Sequence, residues 1–142
     1  MTYLTTAFYS LFTAAPGGVH NDFYNALAGR LYENEAPAGI EFPYAVYQII
    51  SSVKEKTFFE VYKNTILQLS IFSTAEDSGE VKAAYGYASA LYDECALSIT
   101  SSKLVWMKEI NLMTMRDEIT TPEGTAKIWH YAIDFEIKTS LD

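Results

Sequence analysis

The sequence predicts an α+β fold: an antiparallel sheet of four to five strands, with an N-terminal helix and one long helix packed on one face. Three observations carry this. Periodic segments follow one another as helices, strands, helix and hairpin. Residues 78–97 carry an apolar stripe at three- and four-residue steps. Residues 126–138 alternate at period two, the pattern of a strand with one buried and one solvated face.

Each element has its own warrant. Leu4, Ala7, Phe8, Leu11, Phe12 and Ala15 form one helical stripe over Thr2–Ala14, which Pro16-Gly17-Gly18 ends. Asn21 or Asp22 caps a short second helix with Phe23 and Leu27 on one face and Gly29 at its end. Residues 33–41 have loop composition. Pro43 then opens Tyr44–Ile50, a run apolar on both faces and so expected to be buried on both. Residues 57–73 continue in β composition. Leu67, Leu69 and Ile71 share one face there, with Ile66, Gln68, Ser70 and Phe72 on the other. Lys63-Asn64 marks either a bulge or a turn between two strands.

After a polar break, Asp77 and Glu80 resemble a capping box. The helix that follows buries Val81, Ala84, Tyr85, Ala88, Leu91, Tyr92 and Cys95. A second stripe of small residues, Ala83, Gly86 and Ala90, suits a close-packed neighbour. Strands over 103–118 and 126–138 flank a turn at 120–124. In the second strand Trp129, Tyr131, Ile133, Phe135 and Ile137 point to the core, and His130, Asp134, Glu136 and Lys138 point away.

Composition narrows the function. A chain of 142 residues fits one domain, 1–142, able to fold without a metal or disulfide staple. Ten basic against 18 acidic residues give a net charge of −8, which argues against gripping nucleic-acid phosphates or an anionic membrane. The single Cys95 excludes an internal disulfide framework. With no basic stretch before the first apolar residues, it suits a reducing cytoplasm.

Catalytic constellations are not found. His130 and Asp134 are four strand residues apart, about 13 Å at ~3.3 Å per residue, too far to share one metal ion. His20 lies in a Gly-rich loop. Cys95 sits on the apolar stripe beside Asp93 and Glu94, which disfavour a thiolate. Acidic pairs at 33/35, 76/77, 93/94 and 117/118 fall in loops or at element ends. No phosphate-binding loop, nucleophile elbow or metal-binding spacing occurs. The reading is therefore no enzyme, no cofactor and no metal.

The aromatic content points to assembly instead. Eleven tyrosines cannot all be deep core in so small a domain: either they line a shallow core or, since Tyr favours protein interfaces, they face partners. Two stretches stand out: Ala28-Gly29-Arg30-Leu31-Tyr32 with an Ala-Pro-Ala-Gly loop at 36–39, and Phe42-Pro43-Tyr44-Ala45-Val46-Tyr47-Gln48. In order and spacing, over about residues 4–138, the chain resembles the tail completion or tail terminator (head–tail joining) proteins of long-tailed bacteriophages and prophages. The stretch from Phe58 to Lys63 is richer in aromatics than that layout.

The resemblance implies a structural virion protein at the head-proximal end of the tail, assembled in the host bacterial cytoplasm. It implies a homo-oligomeric ring, typically hexameric, that stops tail tube polymerisation and meets the head connector or stopper protein. DNA only passes through its lumen, and no membrane is involved. On this reading the loops at 33–41 and 52–64 supply subunit or tube contacts, with Tyr32, Tyr44, Phe58, Phe59 and Tyr62 as interface residues. The alternatives are another tube-associated module of a prophage or secretion-like system, or a small ligand-binding or enzymatic domain.

Overall fold

The computed structural model describes residues 2–74, 78–122 and 124–140. Helices α1 (Thr2–Thr13) and α2 (Asp22–Leu27) precede strands β1 (Leu31–Glu33), β2 (Tyr44–Lys56) and β3 (Val61–Ser73). Helix α3 (Gly79–Tyr92) and strands β4 (Lys103–Thr121) and β5 (Gly124–Ser140) follow. The strands form one sheet in the order β1-β2-β3-β5-β4. The α+β expectation holds, with helices on one face. Pairings from β2 to β4 are antiparallel, and β1 adds a short parallel edge to β2.

The core lies between the helices and one sheet face. Leu67, Leu69 and Ile71 of β3 and Ile133, Phe135 and Ile137 of β5 are fully buried there, as their alternation predicts. Phe8 of α1 stacks on Tyr92 of α3 at 4.0 Å between ring centroids, and Phe135 meets Tyr92 edge-on at 5.8 Å. The buried Tyr92 hydroxyl donates to the Phe8 carbonyl at 3.1 Å, so its polar tip is satisfied. Tyr47, Tyr92 and Tyr131 are core, whereas Tyr3, Tyr9 and Tyr87 are exposed.

Local chemistry explains the element ends. Asn21 caps α2, its side-chain oxygen accepting from the Tyr24 amide at 2.8 Å. The chain then turns through Ala28 and Gly29, both at positive φ. A Cβ on Gly29, at φ +78°, would sit 2.9 Å from the Tyr24 hydroxyl, so a side chain there is strained and would push the Tyr24 ring aside. The proposed Asp77 cap of α3 lies outside the described residues.

Four expectations need correction. Helix α3 stops at Tyr92 rather than continuing to 97, because its end is drawn onto β4. The Asp93 carboxylate accepts from the Glu109 amide at 2.8 Å, and the Glu94 amide donates to the Met107 carbonyl at 2.8 Å. Cys95 is therefore off the helix. Lys63 and Asn64 are neither bulge nor turn but regular β3 residues paired with Lys54 and Val53. The irregularity falls at Ile50, between Ile49 and Ser51 of β2. Nor is Tyr44–Ile50 buried on both faces: Ala45 and Tyr47 are buried, while Gln48 and Ile50 are exposed. Finally, 52–64 is a strand hairpin whose turn is confined to residues 57–60.

Candidate assembly interface

The face of the sheet turned away from the helices changes character along its length. At the Tyr44 end, Tyr44, Phe72, His130 and Met115 lie in register across four strands. Phe42 extends this row, and ring centroids step 5.1, 5.0 and 4.3 Å from Phe42 through Tyr44 and Phe72 to His130. Burial lowers the His130 pKa, an effect partly opposed by the Asp117 carboxylate. Midway, Asp134 accepts from Gln68 at 3.1 Å and Asn111 at 3.4 Å. At the far end the Lys138 ammonium lies 4.6 Å from the Tyr62 ring centroid and 4.9 Å from that of Trp106.

A groove of about 590 Å³ opens beside the aromatic row. Its floor is Tyr44, Val46 and Phe72, and its wall is the loop from Asn34 to Phe42. This loop is tied down at both ends. The Asn34 amide donates to the Tyr47 carbonyl at 2.9 Å, and the Ala45 amide to the Arg30 carbonyl at 3.0 Å. Arg30 then reaches across: Nε donates to the Pro43 carbonyl at 3.0 Å and Nη2 to the Phe42 carbonyl at 3.3 Å. Its third contact, to Glu41 at 4.0 Å, is an exposed ion pair and contributes little. The Gly-Arg pair thus has a mechanical meaning: Gly29 makes the turn and Arg30 pins the far end of the loop.

The β2–β3 hairpin carries the other conspicuous feature. Phe58 and Phe59 at its tip are as exposed as in an open peptide, 102 and 94%. The turn under them is tied by Thr57, whose hydroxyl donates to the Glu60 carbonyl at 3.2 Å and accepts from the Glu60 amide at 3.0 Å. The tip is thus a defined projection.

The five residues expected at an interface fall into two groups at opposite ends of the sheet. Tyr44 floors the groove, and Tyr32 of β1 lies in register with Val46 beside it. Phe58 and Phe59 form the tip, with Tyr62 at its base. Sequence reasoning missed Phe42, Phe72 and His130, although a phenylalanine alternating with Gln68 and Ser70 was a signal. It also missed β4 as an open edge, along which Val105, Ile110 and Met113 are exposed.

Other chemical candidates are structural in their contacts. Cys95 is half-buried, its thiol 3.4 Å from the Met107 sulfur, and burial pushes its pKa up to about 11. His20 stacks on Tyr24 at 3.8 Å. Ala83, Gly86 and Ala90 are exposed, so the small-residue stripe makes no close contact within the chain. Among the described residues, no three His, Cys, Asp or Glu side chains converge on a metal position. No helix among them is long and apolar enough to cross a membrane.

No protein-family model and no curated protein matches the chain. A solved structure does. A chain of the virion of a native gene transfer agent particle superposes with a TM-score of 0.77, at 12% identity, over 98% of this chain and 96% of that one. At that identity the likeness shows a shared fold, end to end.

Proposed function

We propose that this chain is a structural protein of a phage-type virion. In this reading it folds as one domain and assembles into a ring, hexameric by resemblance, on the head-proximal end of the tail tube. There it ends tube polymerisation and supplies the joint to the head connector or stopper protein. The observation that carries the reading is the end-to-end likeness to a chain of a virion particle, covering 98% of this chain and 96% of that one. The exposed Phe58–Phe59 tip and the groove at the other end of the sheet add two unpartnered surfaces of the kind assembly uses. The net charge of −8 suits a lumen through which DNA slides without being held.

The test is native mass measurement and negative-stain imaging of the purified chain across a concentration series, with and without tail tubes. Closed rings with a central hole, or caps on tube ends, are expected. A chain that stays monomeric and leaves tube ends bare and growing would refute the reading. Rings that decorate the tube length but not its end would favour a different tube-associated module.

A further inference from the structure

The tip and the groove cannot meet within one chain. The groove floor lies at the start of β2 and the tip follows its end, so the strand's 13 residues separate them. At ~3.3 Å per residue the paired strand holds them roughly 40 Å apart. The tip therefore cannot fill the groove of its own chain, but it is free to reach that of another copy. We propose that the Phe58–Phe59 tip of one copy seats in the Tyr44–Val46–Phe72 groove of the next. This rests on the ring reading and names its subunit contact.

Area and charge both support a second copy as the occupant. Two fully exposed phenylalanines offer roughly 300–500 Å² between them, at about 150–250 Å² each. A standard interface buries about 800 Å² per partner, so the tip supplies around half and the hairpin flanks against the loop supply the rest. Those flanks are weakly basic, Lys54, Lys56 and Lys63 outnumbering the exposed Glu55 and Glu60 by one, against an acidic groove loop. Lys54 and Lys63 pair directly across the hairpin, and Lys56 lies two residues along on the same face. Like charges in that position destabilise a hairpin unless an anion faces them. No ion pair among the described residues joins these three lysines to a carboxylate. On the groove side, the exposed Glu33, Glu35 and Glu41 alternate with or flank the lining residues Asn34, Ala36, Ile40 and Phe42.

Because tip and groove are different patches, the contact is heterologous. Repeated, it closes into a ring if the rotation closes. Each copy gives its tip forward and its groove backward.

The experiment uses two full-length variants that break opposite halves of the contact. Phe58→Ala/Phe59→Ala removes the tip, and Val46→Glu charges the groove floor. Ala38→Trp, which fills the groove from the exposed loop, serves as a second groove variant should Val46→Glu perturb folding. Sedimentation velocity follows wild type, each variant and their mixture, with and without tubes. Each variant alone is expected to lose self-association by roughly 30-fold or more, about 2 kcal/mol. The mixture is expected to stop at two chains, because it retains one intact tip and one intact groove. Either variant assembling like wild type overturns the proposal while leaving the ring reading intact. So does a mixture that fails to pair. A tip variant that forms rings but no longer caps tubes makes the tip a tube contact, which also overturns it. A wild type that neither assembles nor caps tubes refutes the ring reading itself, and this contact with it.

Discussion

Replacing Arg30 with alanine should loosen the groove wall while leaving the core intact. The side chain donates two charge-assisted hydrogen bonds, to the Pro43 carbonyl at 3.0 Å and the Phe42 carbonyl at 3.3 Å. Such bonds contribute about 1.5–3 kcal/mol each, but water can replace part of both at this half-buried site. A net loss of about 2 kcal/mol follows. With about 2.1 cal/mol/K per residue, 142 residues give an unfolding entropy near 0.3 kcal/mol/K, so Tm falls by roughly 7 °C. Glu41→Gln removes only the exposed 4.0 Å contact and should cost under ~0.5 kcal/mol. Arg30→Lys keeps the charge but cannot reach both carbonyls, and should fall near alanine. Thermal and urea melts followed by circular dichroism give the energies. Hydrogen exchange at the Asn34 and Ala45 amides reports the loop ends directly. If Glu41→Gln costs as much as Arg30→Ala, the ion pair holds the loop and the carbonyl clamp is wrong. If Arg30→Ala melts like wild type, the loop is held by something else.

Four further outcomes follow from the same structure. Gly29→Ala should destabilise by about 1–2 kcal/mol, from its φ of +78° and the 2.9 Å approach to the Tyr24 hydroxyl, and equilibrium urea unfolding measures it. Stability should be flat near neutrality and fall at both ends of the pH range, as melting temperature against pH would show. On the alkaline side, burial raises Cys95 from 9.0 to about 11 and Tyr47 from 10.0 to about 12. The unfolded chain thus loses its protons first, and stability drops as pH climbs above about 9. On the acid side, burial lowers His130 below its usual 6.5, so the unfolded chain binds the proton first and stability falls as pH drops through 6.5. A His130→Phe variant should lose that acid slope, and an unchanged slope would assign it to the carboxylates. Phe58→Ala and Phe59→Ala should leave monomer stability within ~0.5 kcal/mol of wild type, since neither ring packs on the core. Tyr44→Ala should cost about 1–2 kcal/mol, because its ring stacks on Phe72 at 5.0 Å.

What the sequence made legible was what repeats. The alternation of 126–138 set the β5 faces correctly, and the stripe of Leu4, Phe8 and Phe12 set the buried face of α1. Asn21 was readable as a cap because capping is a local event. Features set by distant partners were not readable. Cys95 continues the α3 stripe in register, yet the helix stops three residues earlier, because hydrogen bonds to Met107 and Glu109 capture its end. Strand β1 has three residues, too few for any period, and exists because β2 offers it an edge. The Ile50 bulge was hidden by a run apolar on both sides, where a slip of one residue leaves the pattern unchanged. Of the proposed interface residues, the aromatic types were legible and their grouping was not. Tyr44 joins Phe72, 28 residues on, and through it His130, a further 58 residues on, separations no local pattern encodes.

Rigidity on both sides of the proposed contact has a thermodynamic consequence. Association loses translational and rotational freedom, and every loop or side chain that must order on contact adds to that loss. Here the groove wall is already pinned by Arg30 and by two backbone hydrogen bonds, and the tip is already shaped by Thr57. Phenylalanine has two side-chain torsions, so seating Phe58 and Phe59 costs less entropy than seating lysines of similar reach. A single contact of this kind remains modest, near half a standard interface in area. Closing a ring changes the balance. The last contact forms between ends already held together, at an effective concentration far above that of free chains. Open chains of copies would then be sparse and closed rings dominant, with the transition between monomer and ring sharp in concentration. The monomer's separate, well-packed core around Phe8, Tyr92 and Phe135 lets such a contact stay weak without endangering the fold.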